Sequence, residues 1–374
     1  MIFNKNRNII FHYPSSLKQS PDSGSSLRPV EMIKGFEKLN YNVFIISGDK
    51  RERSAKIVRI KKLVLNGLKI SFAYSESLTN PTLLSEYHFL LTNIFLDYQF
   101  FYFLKKHQIP LGLFYRDIYW KSELYKKTIP FIKRKFLKIF FWVDIFAYKL
   151  LVRELFVPSS QLMFKYLHDM WVNNRWHVLP PGCNLPTLSK GMKVYKRGYK
   201  LKLFYVGGVL PPYYDFTKLF NCIQNLNEVT LTIYCRKDEW KSIKNYYSLL
   251  SNNIKIVFNG EESLEKYYLE ADIFIMFRLR TEYNAVMMPV KIFESIGFGL
   301  PIISSSRTAV ANLVKQKKLG WVVESENELQ KLLIYLNKNP ENILTIKNRI
   351  INNRNQFTWS VRAQKVVDVL TNEG

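Results

Sequence analysis

Between Asp272 and Ser304 the sequence reads DIFIMFRLRTEYNAVMMPVKIFESIGFGLPIIS, and a few of its residues have the types and spacing to hold an anionic ligand. Pro289 stands where a first helical residue would, since its fixed φ and missing N–H cost nothing there. The N–H groups of Val290 and Lys291 are then free to point at an anion, aided by the positive end of the helix dipole. Lys291 adds a full charge at the same tip, and Glu294, three residues on and on the same helix face, can accept hydrogen bonds from a sugar diol. A cation, helix amides and one carboxylate make a workable cradle for a nucleoside diphosphate. The alternative is an ordinary solvated Lys–Glu pair.

Such a tip needs a sheet to present it, and the chain predicts two. Asn8–Tyr13 reads as an apolar strand, Pro14–Ser26 as a turn-rich loop, Pro29–Leu39 as a helix with Val30, Ile33, Phe36 and Leu39 on one face, and Tyr41–Ser47 as the returning strand. Strands over 69–73, 111–115 and 155–158 follow, with an aromatic-rich helix over 86–107. The run LPPGCNLP at 179–186 breaks both periodicities and reads as a boundary. After a basic linker, 187–200, the pattern restarts with strands over 201–206, 229–235, 254–258, 272–277 and 300–304 and helices over 217–226, 263–269 and 289–298. A last helix covers 357–370. The expected fold is α/β, with two doubly wound domains at 1–186 and 187–356 and a C-terminal helical segment at 357–374; ligands belong at the carboxyl ends of the strands.

The run MPVKIFE at 288–294, followed by GLPII at 299–303, resembles the nucleotide-sugar signature of GT-B glycosyltransferases. The resemblance extends to SGSS at 23–26, LPPG at 179–182 and YVGG at 205–208, and so covers nearly the whole chain. It is similar to bacterial surface-polysaccharide glycosyltransferases of the group 1, family 4-like type. The resemblance implies two Rossmann-like domains facing a central cleft, with the last helix crossing back toward the N-terminal domain. It also implies a hexosyltransferase that moves a sugar from a nucleotide-sugar, most often UDP-linked, to a saccharide or lipid-linked saccharide in capsule or O-antigen (lipopolysaccharide) assembly.

Carried over by position, the resemblance puts Lys291 at the donor phosphates, Glu294 on the ribose, and Pro289, Val290 and Tyr283 around them. Arg236, at a strand end, and the loop near Asn259-Gly260-Glu261 would meet pyrophosphate or base. Gly207 and Gly208 form either a donor-side loop or a plain tight turn. Many retaining members carry an acid eight positions before the ribose Glu; here that position is Val286, and the nearest upstream acid is Glu282, twelve before, so inversion and retention both stay open.

Sugar transfer by inversion needs a base for the acceptor hydroxyl. Asp117, in FYRDIYW at 114–120, is the candidate, with Arg116 able to tune it or meet phosphate and Tyr119 and Trp120 able to stack on an acceptor sugar. A structural Arg–Asp pair is the alternative. His12, ending the first strand, is the rival base, whereas His88, His107, His168 and His177 read as scaffold. The loop 20–26, with Gly24 and Ser25, could present amides and hydroxyls to the transferred sugar or leaving phosphate, and Arg28 could aim at the same anion; a flexible surface loop is the alternative.

Composition narrows the classes. At 374 residues, 47% hydrophobic and with 15 Gly and 15 Pro, the chain is folded rather than disordered or collagenous. It carries +25, and residues 1–190 hold 29 basic against 13 acidic side chains, so anions and anionic surfaces are attracted. The basic residues are dispersed and no nucleic-acid recognition module is present, so nucleic acid is not an expected partner. Three cysteines without metal spacing suit a reducing compartment, and the N-terminal residues lack a secretory signal, which together predict a cytoplasmic protein. No D-x-D, P-loop or G-x-G-x-x-G occurs, so no metal or other cofactor is expected, and amides and cations must meet the leaving-group charge. The segment 136–152 reads first as a buried helix with a solvated end and second as a peripheral contact with an anionic inner membrane. A nucleotide-sugar 2-epimerase of the same fold and a non-catalytic partner-binding subunit are the competing functions. Oligomeric state is not legible.

Overall fold

The computed structural model describes residues 7–18, 24–84, 95–171, 175–188, 198–211, 214–247, 250–278 and 281–371. The chain divides into two compact units, residues 1–182 with 359–374, and residues 183–358.

The first unit is built on six parallel strands, β1 (Asn8–His12), β2 (Asn42–Ile46), β3 (Phe72–Glu76), β4 (Leu111–Phe114), β5 (Glu154–Val157) and β6 (Trp176–Val178), in the order β2-β1-β3-β4-β5-β6. Central strands such as NIIFH and LGLF are buried along their whole length, which is what helices on both faces of a parallel sheet demand. The strand order reverses between β1 and β3, so the ends of those two strands flank the crevice of a doubly wound sheet.

Two elements differ from the sequence reading. Strand β3 lies three residues beyond the expected 69–73, because FAYSE, not Lys69-Ile70-Ser71, can be buried on both faces, and its final Glu76 is neutralised there by arginine. The first helix runs from Gly24 to Lys38, so SGSS does not precede it and Pro29 sits inside it rather than in its first turn. The hydrogen bond forgone at Pro29 is offset by burial of Met32, Ile33 and Phe36. Gly24 and Ser25 thus belong to the helix's first turn, their side-chain surroundings lie outside the described residues, and residues 20–23 of the expected loop lie outside them altogether.

The last helix, Trp359–Thr371, belongs to this unit, lying along Gly24–Lys38 and over β3 and β4. Its close approach depends on Gly35, where a Cβ would stand 2.9 Å from the Trp359 carbonyl oxygen.

The second unit holds β7 (Leu201–Val206), β8 (Val229–Cys235), β9 (Ile254–Phe258), β10 (Ile273–Met276), β11 (Ile302–Ser305) and β12 (Gly320–Val323), all parallel, in the order β12-β11-β10-β7-β8-β9. This is the doubly wound dinucleotide-fold order, whose switch point falls between β7 and β10. Gly207 follows β7 and Arg278 follows β10 by two residues, so both stand at the switch point's carboxyl side.

Candidate active site

In the second unit the residues after β7, β10 and β11 converge. Gly207 adopts φ +150°, open to glycine, and a Cβ on Gly208 would press to 2.6 Å from the Tyr214 ring, so the turn needs both glycines. The Tyr205 hydroxyl donates to the Gly208 carbonyl at 2.9 Å and accepts from Arg278 Nη2 at 2.9 Å. The Arg278 guanidinium also lies over the Tyr214 ring, 4.6 Å from its centroid, and its buried Nε has no partner among the described residues. Arg278, Asn284, Pro289, Ser305 and Thr308 line one recess, which places this arginine beside the tip of the helix Val290–Gly297.

Sequence reasoning missed Arg278. Its signal was present, a basic residue directly after the apolar strand IFIMF, the same position that drew attention to Arg116 after LGLFY.

The helix tip itself is close to expectation. Pro289 is the N-cap, with Val290 rather than Pro289 as the first helical residue. Lys291 Nζ donates to both oxygens of Glu294, at 3.1 and 2.8 Å, and the Tyr268 hydroxyl donates to Glu294 Oε2 at 2.9 Å. Both partners are half-buried, so this is not a freely solvated pair. Tyr268 is buried with its ring stacked on Phe298 at 4.5 Å, and burial followed by the Glu294 charge holds its hydroxyl protonated well past the usual range. The carboxylate is therefore fixed by a donor that cannot leave, while Lys291 is tethered only by charge. Arg236 caps β8 and pairs with Glu239, whose other oxygen accepts from the Val209 N–H at 3.1 Å, tying this arginine to the glycine turn. Tyr283 sits half-buried in the short helix Glu282–Val286, and Gly260 in the turn after β9.

The first unit gathers two polar clusters at its strand ends. At the end of β1, His12 is buried, with Nδ1 2.8 Å from the Ser75 hydroxyl and Nε2 2.9 Å from Asp97 Oδ1. Arg53 reaches the same carboxylate at 3.1 and 3.2 Å and the Gly48 carbonyl at 2.7 Å. Burial alone would raise the Asp97 pKa, but His12 and Arg53 outweigh it and hold the carboxyl below its ordinary range. Both His12 nitrogens are occupied, so this geometry leaves no nitrogen to receive a substrate proton. Neither Asp97 nor Arg53 announces itself in sequence, since Asp97 is a lone acid in an aromatic helix and Arg53 is one of several basic residues on its own helix.

Beside it, at the ends of β3 and β4, Glu76 accepts from Arg28 Nε at 3.0 Å and from the Tyr74 hydroxyl at 3.1 Å, with Arg116 Nη2 3.5 Å from its second oxygen. Arg28 lies 3.5 Å from the centroid of Phe114. Two guanidinium groups share one buried carboxylate.

Asp117 is buried next in line, accepting from the Thr79 hydroxyl at 3.0 Å and the Tyr119 N–H at 3.1 Å. Burial pushes its pKa up, against those hydrogen bonds and the Arg116 charge, which makes it a stronger base than an exposed aspartate. Trp120 is not available to a sugar in this arrangement: it is buried, stacked on Phe141 at 5.0 Å, and its indole N–H donates to the Tyr115 hydroxyl at 3.1 Å. Tyr119, less buried, shares a hydrogen bond with Thr128. Among the other histidines, His177 meets Glu154 at 3.0 Å, His107 packs on Phe103 and His168 is exposed; His88 lies outside the described residues.

Residues 200–339, all within the second unit, match the family model for glycosyl transferases group 1. The matched residues make up most of that unit. A curated relative, the amylovoran biosynthesis glycosyltransferase AmsK of Erwinia amylovora, is 30% identical over 89 residues; the match spans 23% of this chain and about a fifth (22%) of that protein. Over the whole length the chain shares its fold with HepE of Anabaena solved with UDP, at 11% identity and a TM-score of 0.65, covering 97% of this chain and 99% of that one. It likewise shares the fold of WaaG, a glycosyltransferase involved in lipopolysaccharide biosynthesis, at 13% identity and a TM-score of 0.57, covering 98% and 100%. The chain therefore has the GT-B fold. Its recess, glycine turn and helix tip lie at the switch point where that fold receives ligands.

Proposed function

We propose that the chain transfers a sugar from a nucleotide-sugar, with UDP as the nucleotide, to a saccharide or lipid-linked saccharide in the assembly of a bacterial surface polysaccharide at the cytoplasmic face of the membrane. The observation that carries this reading is the set of Arg278, Lys291 and Glu294 around one helix tip at the β7/β10 switch point, inside the segment that matches the group 1 glycosyl transferase model. HepE, which shares the fold, was solved with UDP and with UDP-glucose, which supports UDP as the nucleotide.

On binding, the diphosphate takes the charge of Lys291 and the open Nε–H of Arg278. Glu294, released from Lys291 but still held by Tyr268, accepts from the ribose diol. The recess needs no metal for this, since cations and amides meet the leaving-group charge. Asp117 receives the acceptor proton.

Two measurements test the reading. Glu294→Ala should weaken calorimetric UDP binding by about 1–3 kcal/mol, the worth of charged hydrogen bonds lost to the ribose; unchanged affinity removes the ribose assignment. Asp117→Asn should abolish transfer while UDP affinity stays within about twofold, since the base acts only on the acceptor side. An active Asn variant moves the base elsewhere.

A further inference from the structure

The helix Phe131–Leu151 is held in the first unit by one face. Phe141, Asp144, Ile145 and Tyr148 are buried, Phe141 stacks on Trp120, and Tyr148 shares a 2.6 Å hydrogen bond with the Thr82 hydroxyl, so the helix cannot roll about its axis. The opposite face of a solvated helix would be charged. Here it is apolar: Ile132, Phe136, Ile139, Phe146 and Leu150 are 83, 50, 61, 65 and 52% exposed. Their spacings of 4, 3, 7 and 4 keep them in one line along the helix. Over 21 residues that line is about 30 Å long. A contiguous exposed stripe of this size marks an interaction surface rather than scattered surface residues.

Charge decides what covers it. Lys133, Lys135, Lys138 and Lys149 are exposed along the same helix, whose single acid, Asp144, is buried on the inward face. A second copy of the chain would bring identical cations against these. An anionic bilayer satisfies both features, since the headgroup boundary takes the apolar line and lipid phosphates take the lysines. No helix among the described residues is long and apolar enough to cross a membrane, so the helix would lie in the interface plane.

We propose that Phe131–Leu151 is the surface by which the protein docks on an anionic lipid bilayer, with Ile132, Phe136, Ile139, Phe146 and Leu150 sunk below the headgroups. The proposal bears on the transfer reaction only in bringing the enzyme to lipid-linked acceptors.

The test is co-sedimentation of the full chain with phosphatidylcholine vesicles, with and without 30 mol% phosphatidylglycerol, a composition of about the anionic content that basic segments sense. Binding should be at least about tenfold tighter on the anionic vesicles and should fall with salt. Ile139→Asp with Phe146→Asp, and separately Lys135→Gln with Lys138→Gln, should each weaken it about tenfold or more while the thermal midpoint is unchanged, because all four side chains face solvent. Trp142 lies beside the stripe and is exposed, so a blue shift of its emission on vesicles, lost in Trp142→Phe, reports the helix itself. The proposal is overturned if no vesicle binding occurs, or if binding survives both double substitutions. It is equally overturned if sedimentation velocity shows a dimer that Ile139→Asp dissociates, which would assign the stripe to a second copy. UDP affinity, measured without vesicles, should be unaffected by these substitutions; a chain that docks but does not bind UDP defeats the transfer reading alone, and the converse defeats docking alone.

Discussion

At the scale of single residues, Asp144 shows how far this sequence tolerates a buried acid. It accepts from the Tyr98 hydroxyl and from the Thr82 N–H at 2.9 Å, yet burial outweighs both and raises its pKa to about 7. In the unfolded chain the same group titrates near 4. The native state therefore holds a proton that the unfolded state has released between pH ~4 and ~7, and stability falls as pH rises through that window, then levels off. The loss is on the order of a few kcal/mol. Asp144→Asn should remove that part of the slope, so the difference between the two proteins in urea midpoint should change between pH 4 and 7 and stay constant above it. Parallel curves would mean that Asp144 titrates normally in the folded protein. Asp97 shows the opposite outcome under similar burial, because His12 and Arg53 supply the charge that Asp144 lacks.

At the scale of elements, the helix Gly24–Lys38 and the last helix meet so closely that a Cβ at Gly35 would approach the Trp359 carbonyl to 2.9 Å and Ala363 Cβ to 3.1 Å. In an isolated helix Gly→Ala stabilises by about 1 kcal/mol. Here the added methyl meets backbone that can yield only by moving the whole last helix, so Gly35→Ala should instead destabilise by about 1–3 kcal/mol, read as a lower denaturation midpoint with unchanged slope. A higher midpoint would show the interface to be loose.

Element packing also separates what the sequence made legible from what it did not. Strands with long apolar runs, such as β7 and β8, were read to the residue, and the helix tip with Lys291 and Glu294 to within one residue, because a Pro, a cation and an acid at fixed spacing carry local meaning. The edge strands β6 and β12 were missed, since they are only partly buried, unlike the four-residue strands inside the sheets. Trp120 and His12 looked available because sequence shows residue type but not the partners that occupy it. Arg53 and Asp97, 44 positions apart, meet only through the fold. The outward apolar line of Phe131–Leu151 was partly visible as a run of apolar residues, but which face was buried required the contacts to Trp120 and Thr82.

At the scale of the whole molecule, a net charge of +25 suits the anionic nucleotide-sugar proposed as the donor. Arg278 and Lys291 stand at the helix tip, where Lys291 pairs with Glu294, and the described residues contain no group of acids, histidines or cysteines spaced to hold a metal ion. If cations alone meet the diphosphate, two solution behaviours follow. Dialysis against EDTA should leave UDP affinity within about twofold, because no bridging ion is lost. Raising the salt from about 0.05 to 0.5 M should weaken the same affinity by about three- to tenfold, since half-buried cations are screened, though less than exposed ones. Calorimetry under both conditions separates the possibilities: affinity that collapses on chelation and returns with a divalent ion would replace the arginine and lysine by a metal as the principal counter-charge, and affinity indifferent to salt would place the diphosphate away from both cations.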